Sequence, residues 1–242
     1  MKQTALITGS AKRIGRAIAE HLAAEGWNLA LHYNTSGKAA KHLQDELQLQ
    51  YPEQTFVLFQ SNLQNPFAVE KLVSEVIREI GSLHMLVNNA SAFEQGLIKE
   101  TAFDLLDRQM MVNFRAPFLL MREFARLAGS GQIINLVDTR ITSNKSDYAA
   151  YSISKKALWE LTKMSAVEFA PDIRVNAIAP GATLPPEDKP EHYLWKIAEK
   201  IPMKKPGGLE PIIKSLDYIL NNEHLTGQLL FCDGGENLGT NI

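Results

Sequence analysis

Short apolar runs alternate with longer amphipathic stretches along most of the chain. The apolar runs are Thr4–Thr8, Leu29–Tyr33, Thr55–Gln60, Met85–Asn88, Ile133–Val137, Arg174–Ala179 and Leu229–Cys232. They are continuously apolar rather than alternating with polar residues, the pattern of parallel strands covered on both faces. Between them, Arg16–Glu25, Pro66–Ile80, Phe103–Ala128, Ser152–Glu168 and Pro211–Leu220 carry the spacing of helices with one apolar face. Strand then helix, repeated, predicts βαβ units. The expected fold is α/β: a single doubly wound, Rossmann-like domain over residues 1–242, its parallel sheet of about seven strands flanked by helices. Pro180–Pro206 is the one Pro-rich irregular stretch. It is long for an ordinary connection, so 182–205 is expected to form a substrate loop.

Composition narrows the function classes. The 242 residues fit one large domain. A net charge of -2 without a long basic run sets nucleic acid aside as the main partner. No apolar run reaches the length of a membrane span. The first strand begins at Thr4, which leaves no room for a signal peptide. The single cysteine, Cys232, forms no internal disulfide and fits a reducing compartment, so a cytoplasmic protein is expected. Its setting, LLFCDGG, reads as a buried strand.

The first strand runs into Thr8-Gly9-Ser10-Ala11-Lys12-Arg13-Ile14-Gly15, and a helix follows. Gly9 permits a tight turn, and Gly15 lets the helix approach the sheet, so the helix amides face a pyrophosphate. Arg13 stands where a further glycine is usual, and a guanidinium grips phosphate in a bidentate way. At the end of the second strand, an acidic residue would bind the ribose hydroxyls of NAD. This chain has Tyr33-Asn34-Thr35-Ser36 instead. Nothing there repels a 2′-phosphate, so NADP(H) is the expected cofactor.

Tyr151 and Lys155 are four apart in a helical segment and share a face. They follow the strand Ile133–Val137, at the end of the sheet where an open α/β fold binds its ligand. A free phenol ionises near pH 10. A nearby ammonium favours the phenolate, which would let Tyr151 exchange protons while hydride moves. Asn113 lies in an otherwise apolar helix and needs partners, structural or catalytic. Asp138 ends the strand IINLV and either points into the cleft or caps the following turn.

Together these motifs resemble the short-chain dehydrogenase/reductase family. The resemblance rests on TGSAKRIG, Asn88-Asn89-Ala90, Asn113, Tyr151-Ser152-Ile153-Ser154-Lys155, Arg174-Val175-Asn176, Pro180-Gly181 and Asp233-Gly234-Gly235. It implies an Asn–Ser–Tyr–Lys tetrad: Asn113 anchoring a water relay, Tyr151 as acid/base, and Lys155 holding the nicotinamide ribose and lowering the phenol's pKa. The family's Ser is Asp138 here. That replacement, with Arg13 in the glycine loop, is similar to the pteridine reductases and bacterial dihydromonapterin reductases.

The implied cofactor residues are Gly9, Arg13, Ile14, Gly15, Tyr33, Asn34, Thr35, Ser36, Asn89, Ala90, Ser91, Tyr151, Lys155, Pro180, Gly181 and Thr183. Asn62-Leu63 joins them where the family has Asp-Leu. The implied substrate residues are Arg13, Ser91, Phe93, Asp138 and Tyr151, with Phe93 as a wall of the pterin site unless it packs in the core. No metal is expected. The resemblance implies reduction of a dihydropterin, 7,8-dihydromonapterin or dihydrofolate, by hydride delivery to C6 and a proton to N5, in a homotetramer. A carbonyl reductase of the 3-oxoacyl or sugar-alcohol type and a silent NADP-binding sensor are the alternatives.

Overall fold

The computed structural model describes residues 2–185, 190 and 192–239. Seven parallel strands form one sheet in the order β3-β2-β1-β4-β5-β6-β7. They are β1 (Thr4–Ile7), β2 (Asn28–Tyr33), β3 (Phe56–Gln60), β4 (Met85–Asn88), β5 (Gly131–Leu136), β6 (Ile173–Pro180) and β7 (Leu229–Cys232). The helices are α1 (Arg13–Ala24), α2 (Gly37–Gln50), α3 (Pro66–Ile80), α4 (Phe103–Met110), α5 (Ala116–Leu127), α6 (Ala149–Glu168), α7 (His192–Ala198) and α8 (Glu210–Leu220). The doubly wound expectation holds. The chain winds outward from β1 to β3, returns to pair β4 with β1, and winds the other way to β7. The reversal between β1 and β4 opens a crevice at the strand ends.

Because side chains alternate across a strand, each strand feeds two cores. In β1, Leu6 joins one cluster with Val69, Leu72, Leu120 and Phe124, under α3 and α5. Ala5 and Ile7 join the other with Ile18, Leu22, Leu43 and Leu216, under α1, α2 and α8. This double coverage is why the runs are continuously apolar.

Local signals fix the ends. Asn65 caps α3, its Oδ1 accepting from the amides of Phe67 and Ala68, with Pro66 at the first helical position. Gly81 closes the same helix at φ 95°, a left-handed conformation that favours glycine. Cys232 is buried in β7, as expected.

The fold departs from the sequence reading in three places. α2 lies where no helix is predicted: only Ala40, Leu43 and Leu47 turn inward, a stripe too sparse to stand out. The stretch 103–128 is two helices joined by a π-helical turn, Met111–Arg115. The stretch after Pro180 is not wholly irregular, since α7 lies inside it. The expectation of a substrate loop over 182–205 falls partly on 186–189 and 191, which lie outside the described residues. Among the described residues, no helix is long and apolar enough to cross a membrane.

Candidate active site

The crevice floor is built from β1, β2 and β4. Thr8 Oγ1 accepts from the backbone amides of Asn89 (2.9 Å) and Ala90 (3.0 Å), which pins the end of β4 to the start of the glycine loop. Asn89 Nδ2 donates to Thr8 O (2.8 Å) and Gly9 O (3.1 Å). Asn89 thus braces the loop with the amide expected to meet the cofactor. Gly9 turns at φ 64°. A side chain on Gly15 would strike Gly9 O at 2.2 Å, so only glycine lets α1 sit this close.

His32, buried at the end of β2, completes the floor. The amide of Gly9 donates to its Nδ1 (3.1 Å), so that nitrogen carries no proton. Its Nε2 therefore holds the proton and donates to Ser61 O (3.0 Å). Burial pushes His32 down to about 4, so the ring is neutral and joins the glycine loop to the ends of β2 and β3.

The residues present fit a dinucleotide. Neither Lys12, ahead of α1, nor Ser36, ahead of α2, caps its helix with a side chain, so both N-termini keep their first amides for phosphate oxygens. The turn from Tyr33 through Asn34 and Thr35 to Ser36 carries no carboxylate.

With φ 55° Arg13 holds a backbone conformation that favours glycine. Its guanidinium donates to Pro185 O (2.8 Å) and Leu184 O (3.3 Å). That links the glycine loop to the segment after β6.

The expected catalytic residues converge at the ends of β4 and β5. Tyr151 Oη donates to Asp138 Oδ2 at 2.7 Å. Asp138 Oδ1 accepts from the amide of Arg140 at 2.7 Å. Asp138 caps the 3₁₀ turn Thr139–Thr142 with one oxygen and meets the Tyr151 hydroxyl with the other. Lys155, fully buried, donates from Nζ to Leu136 O at 2.7 Å, with its ammonium 5.9 Å from the Tyr151 ring centre.

The titration of this group differs from expectation. Burial, and then the charge of Asp138, hold the Tyr151 phenol well above its usual range, so it is a firm proton donor. Burial also raises Asp138. Lys155 is lowered to about 8, chiefly by burial.

The π-helical turn aims Asn113 inward. Its Oδ1 accepts from Ala92 N (2.8 Å) and Ser91 Oγ (3.1 Å), and its Nδ2 donates to Ala92 O (2.8 Å) and Ser154 Oγ (3.0 Å). Asn113 therefore fixes the loop after β4 against α6. Ser91 also reaches the Tyr151 hydroxyl. Phe93 is 51% exposed, which sets aside core packing. Its ring stacks on Tyr148 (4.5 Å, 8°) and meets Tyr151 edge-on (4.7 Å).

The remaining expected residues divide. Leu63 is a core side chain, and Asn62 spends Oδ1 on Gln64 N within its own turn (2.9 Å). Ile14 is half-buried against the core under α1. Pro180 ends β6, and Thr183 donates to Gly181 O (3.1 Å). A side chain on Gly181 would meet Asp233 and Glu236 at 2.7 Å.

Tyr148, Arg140 and Glu236 are not picked out by the sequence reading. A second aromatic three residues before Tyr151 was the available signal.

The chain belongs to the short-chain dehydrogenase/reductase family of oxidoreductases. The matching family model is described as enoyl-(acyl carrier protein) reductase and covers residues 9–237. Among relatives, the chain is 30% identical to the 3-oxoacyl-[acyl-carrier-protein] reductase FabG of Staphylococcus epidermidis, over 97% of this chain and 99% of that one. It is 29% identical to a dihydromonapterin reductase of Klebsiella pneumoniae, over 96% of each chain. Among solved structures, it is similar to FolM alternative dihydrofolate reductase 1 from Brucella canis complexed with NADP. The TM-score is 0.90 and the identity 32%, over 99% of this chain and 96% of that one.

Proposed function

We propose that the protein reduces a dihydropterin, 7,8-dihydromonapterin or dihydrofolate, to its tetrahydro form with NADPH. The observation that carries the reading is the 2.7 Å hydrogen bond between Tyr151 and Asp138, a carboxyl where the family resemblance expects a serine hydroxyl. Bound NADPH supplies the hydride. Reduction of an imine makes an amine, so N5 of the pterin needs a proton. Tyr151 keeps its proton because burial and Asp138 oppose the phenolate. Asp138, raised by burial, stands behind it as the next proton carrier. A ketone develops an oxyanion instead, which favours neutral donors and is opposed by an ionised carboxylate.

Other residues support the reading. The acid-free turn Tyr33–Ser36 and the uncapped start of α2 favour a cofactor with a 2′-phosphate. The half-exposed ring of Phe93, edge-on to Tyr151, offers a flat face to a heteroaromatic bicycle. The FolM and dihydromonapterin reductase likenesses point the same way. The reading also takes the protein to be a cytoplasmic homotetramer. The likeness to FabG favours carbonyl reduction as a second reading.

The test is NADPH oxidation with 7,8-dihydromonapterin, dihydrofolate, an acetoacetyl thioester and no substrate. Turnover of a dihydropterin well above the thioester is expected. The reverse order would replace this reading with the second.

A further inference from the structure

Three side chains form a layered stack beside the Tyr151–Asp138 pair. Arg140 Cζ lies 4.4 Å over the Tyr148 ring, and the Phe93 ring lies 4.5 Å from the same centre, nearly parallel at 8°. Both groups pack against the Tyr148 ring. The guanidinium also forks onto Asp147, the residue before Tyr148, at 2.9 Å and 3.4 Å. Tyr148 and Gly96 are joined as neighbouring strands: Gly96 N donates to Asp147 O and Ala149 N to Gly96 O, each at 3.0 Å. The Phe93 loop and the start of α6 are thus one unit, backed by one guanidinium.

The base of that guanidinium is rigid. Arg140 sits on the Thr139–Thr142 turn, and Thr139 Oγ1 donates to buried Asp233 at 2.7 Å. Asp233 in turn accepts from the amides of Gly235 and Asn237. The amide of Arg140 holds Asp138. One residue therefore joins the proton pair, through its backbone, to the aromatic wall, through its side chain.

We propose that Arg140 is a positioning residue: its guanidinium plane, stacked on Tyr148 and forked onto Asp147, sets where the Phe93 face stands relative to Tyr151. This rests on the dihydropterin reading for the identity of the flat substrate. The bland alternative is a half-exposed ion pair of little consequence, as such pairs commonly are. The two differ in what they move. A positioning role acts on KM for the flat substrate, through a stack of the strength of a cation–π contact. An idle ion pair moves nothing.

The test uses Arg140→Gln and Arg140→Lys in the full-length protein, neither of which alters the amide that holds Asp138. Arg140→Gln is expected to raise KM for the dihydropterin about tenfold. The KM for NADPH and Tm should stay near the parent's, while kcat also feels the Arg140 charge on Asp138 and Tyr151 and is not the deciding readout. Arg140→Lys keeps the charge without the plane or the fork, and should behave more like Arg140→Gln than like the parent. An unchanged KM in Arg140→Gln, or full recovery in Arg140→Lys, would overturn the proposal. A crystal structure of Arg140→Gln reads the wall without any substrate. A displaced Phe93–Tyr148 pair supports the proposal, and an undisturbed pair refutes it. Dihydropterin turnover by the parent separately tests the reading on which the substrate rests.

Discussion

Tyr151 donates a hydrogen bond from its hydroxyl to Oδ2 of Asp138, while Oδ1 of the same carboxyl is held by the amide of Arg140. Both oxygens of Asp138 are thus committed, and its orientation in the cleft is fixed. In Tyr151→Phe the proton donor is gone but the ring and its contact with Phe93 remain. The kcat for dihydropterin should fall by about 10²–10⁴, the usual worth of a positioned acid. NADPH should still bind, as fluorescence titration of the variant would read. Near-normal turnover would pass the proton role to Asp138. Asp138→Ser should likewise lose dihydropterin reduction.

Asp138 is set up at the expense of stability. Burial raises its carboxyl in the fold above the ordinary value of 3.8. Its favourable contribution is therefore complete below that value and is lost as pH rises through the raised one. Above the raised value the ionised form burdens the fold. Asp138→Asn should melt higher than the parent at pH 8. The advantage should vanish near pH 4. Melting curves at the two pH values measure it, and a variant less stable at pH 8 would contradict the account.

His32 works in the opposite sense. Its ring is neutral in the fold, with its pKa lowered from 6.5 to about 4. Unfolded chains take up the proton near 6.5 and the folded protein does not, so stability is complete above that pH. It declines as pH falls from 6.5 towards 4, by about 3 kcal/mol in all. Urea unfolding from pH 7.5 to 4 should show this slope, and His32→Gln should flatten it. An equal slope in the variant would assign the acid sensitivity elsewhere.

Phe93 is half exposed and so contributes little to the core. Phe93→Ala should leave Tm close to the parent's and raise KM for dihydropterin up to about tenfold, the range of an offset ring pair. A loss of roughly 3–5 kcal/mol in stability with unchanged kinetics would mark it as core after all.

The strands and the doubly wound order are legible in the sequence because burial on both faces leaves runs with no polar interruption. α2 is not, since it lies on the outermost strands and turns only Ala40, Leu43 and Leu47 inward. The pairing of Tyr151 with Lys155 is legible from helical spacing, and Asp138 from its place at a strand end. The sign of the Tyr151 shift is not. Spacing reports the nearby ammonium but not desolvation, and desolvation dominates. The Arg13 contacts are not legible either: its chemistry suits a phosphate, and in the fold its side chain also meets the carbonyls of Leu184 and Pro185. The packing of Arg140 on Tyr148 is a pairing no linear pattern displays.

The central place of β1 has a consequence for synthesis on the ribosome. β1 is flanked by β2, whose paired residues lie 24 positions on, and by β4, whose paired residues lie 80 positions on, as Thr4 with Asn28 and Leu6 with Leu86 show. A chain emerging from its N-terminus forms β3-β2-β1 first. Until Met85–Val87 arrive, Ala5, Leu6 and Ile7 present an apolar strand edge with unpaired amides and carbonyls, an invitation to pair with a neighbouring nascent chain. Destabilising β4 would therefore harm yield before it harmed the finished fold.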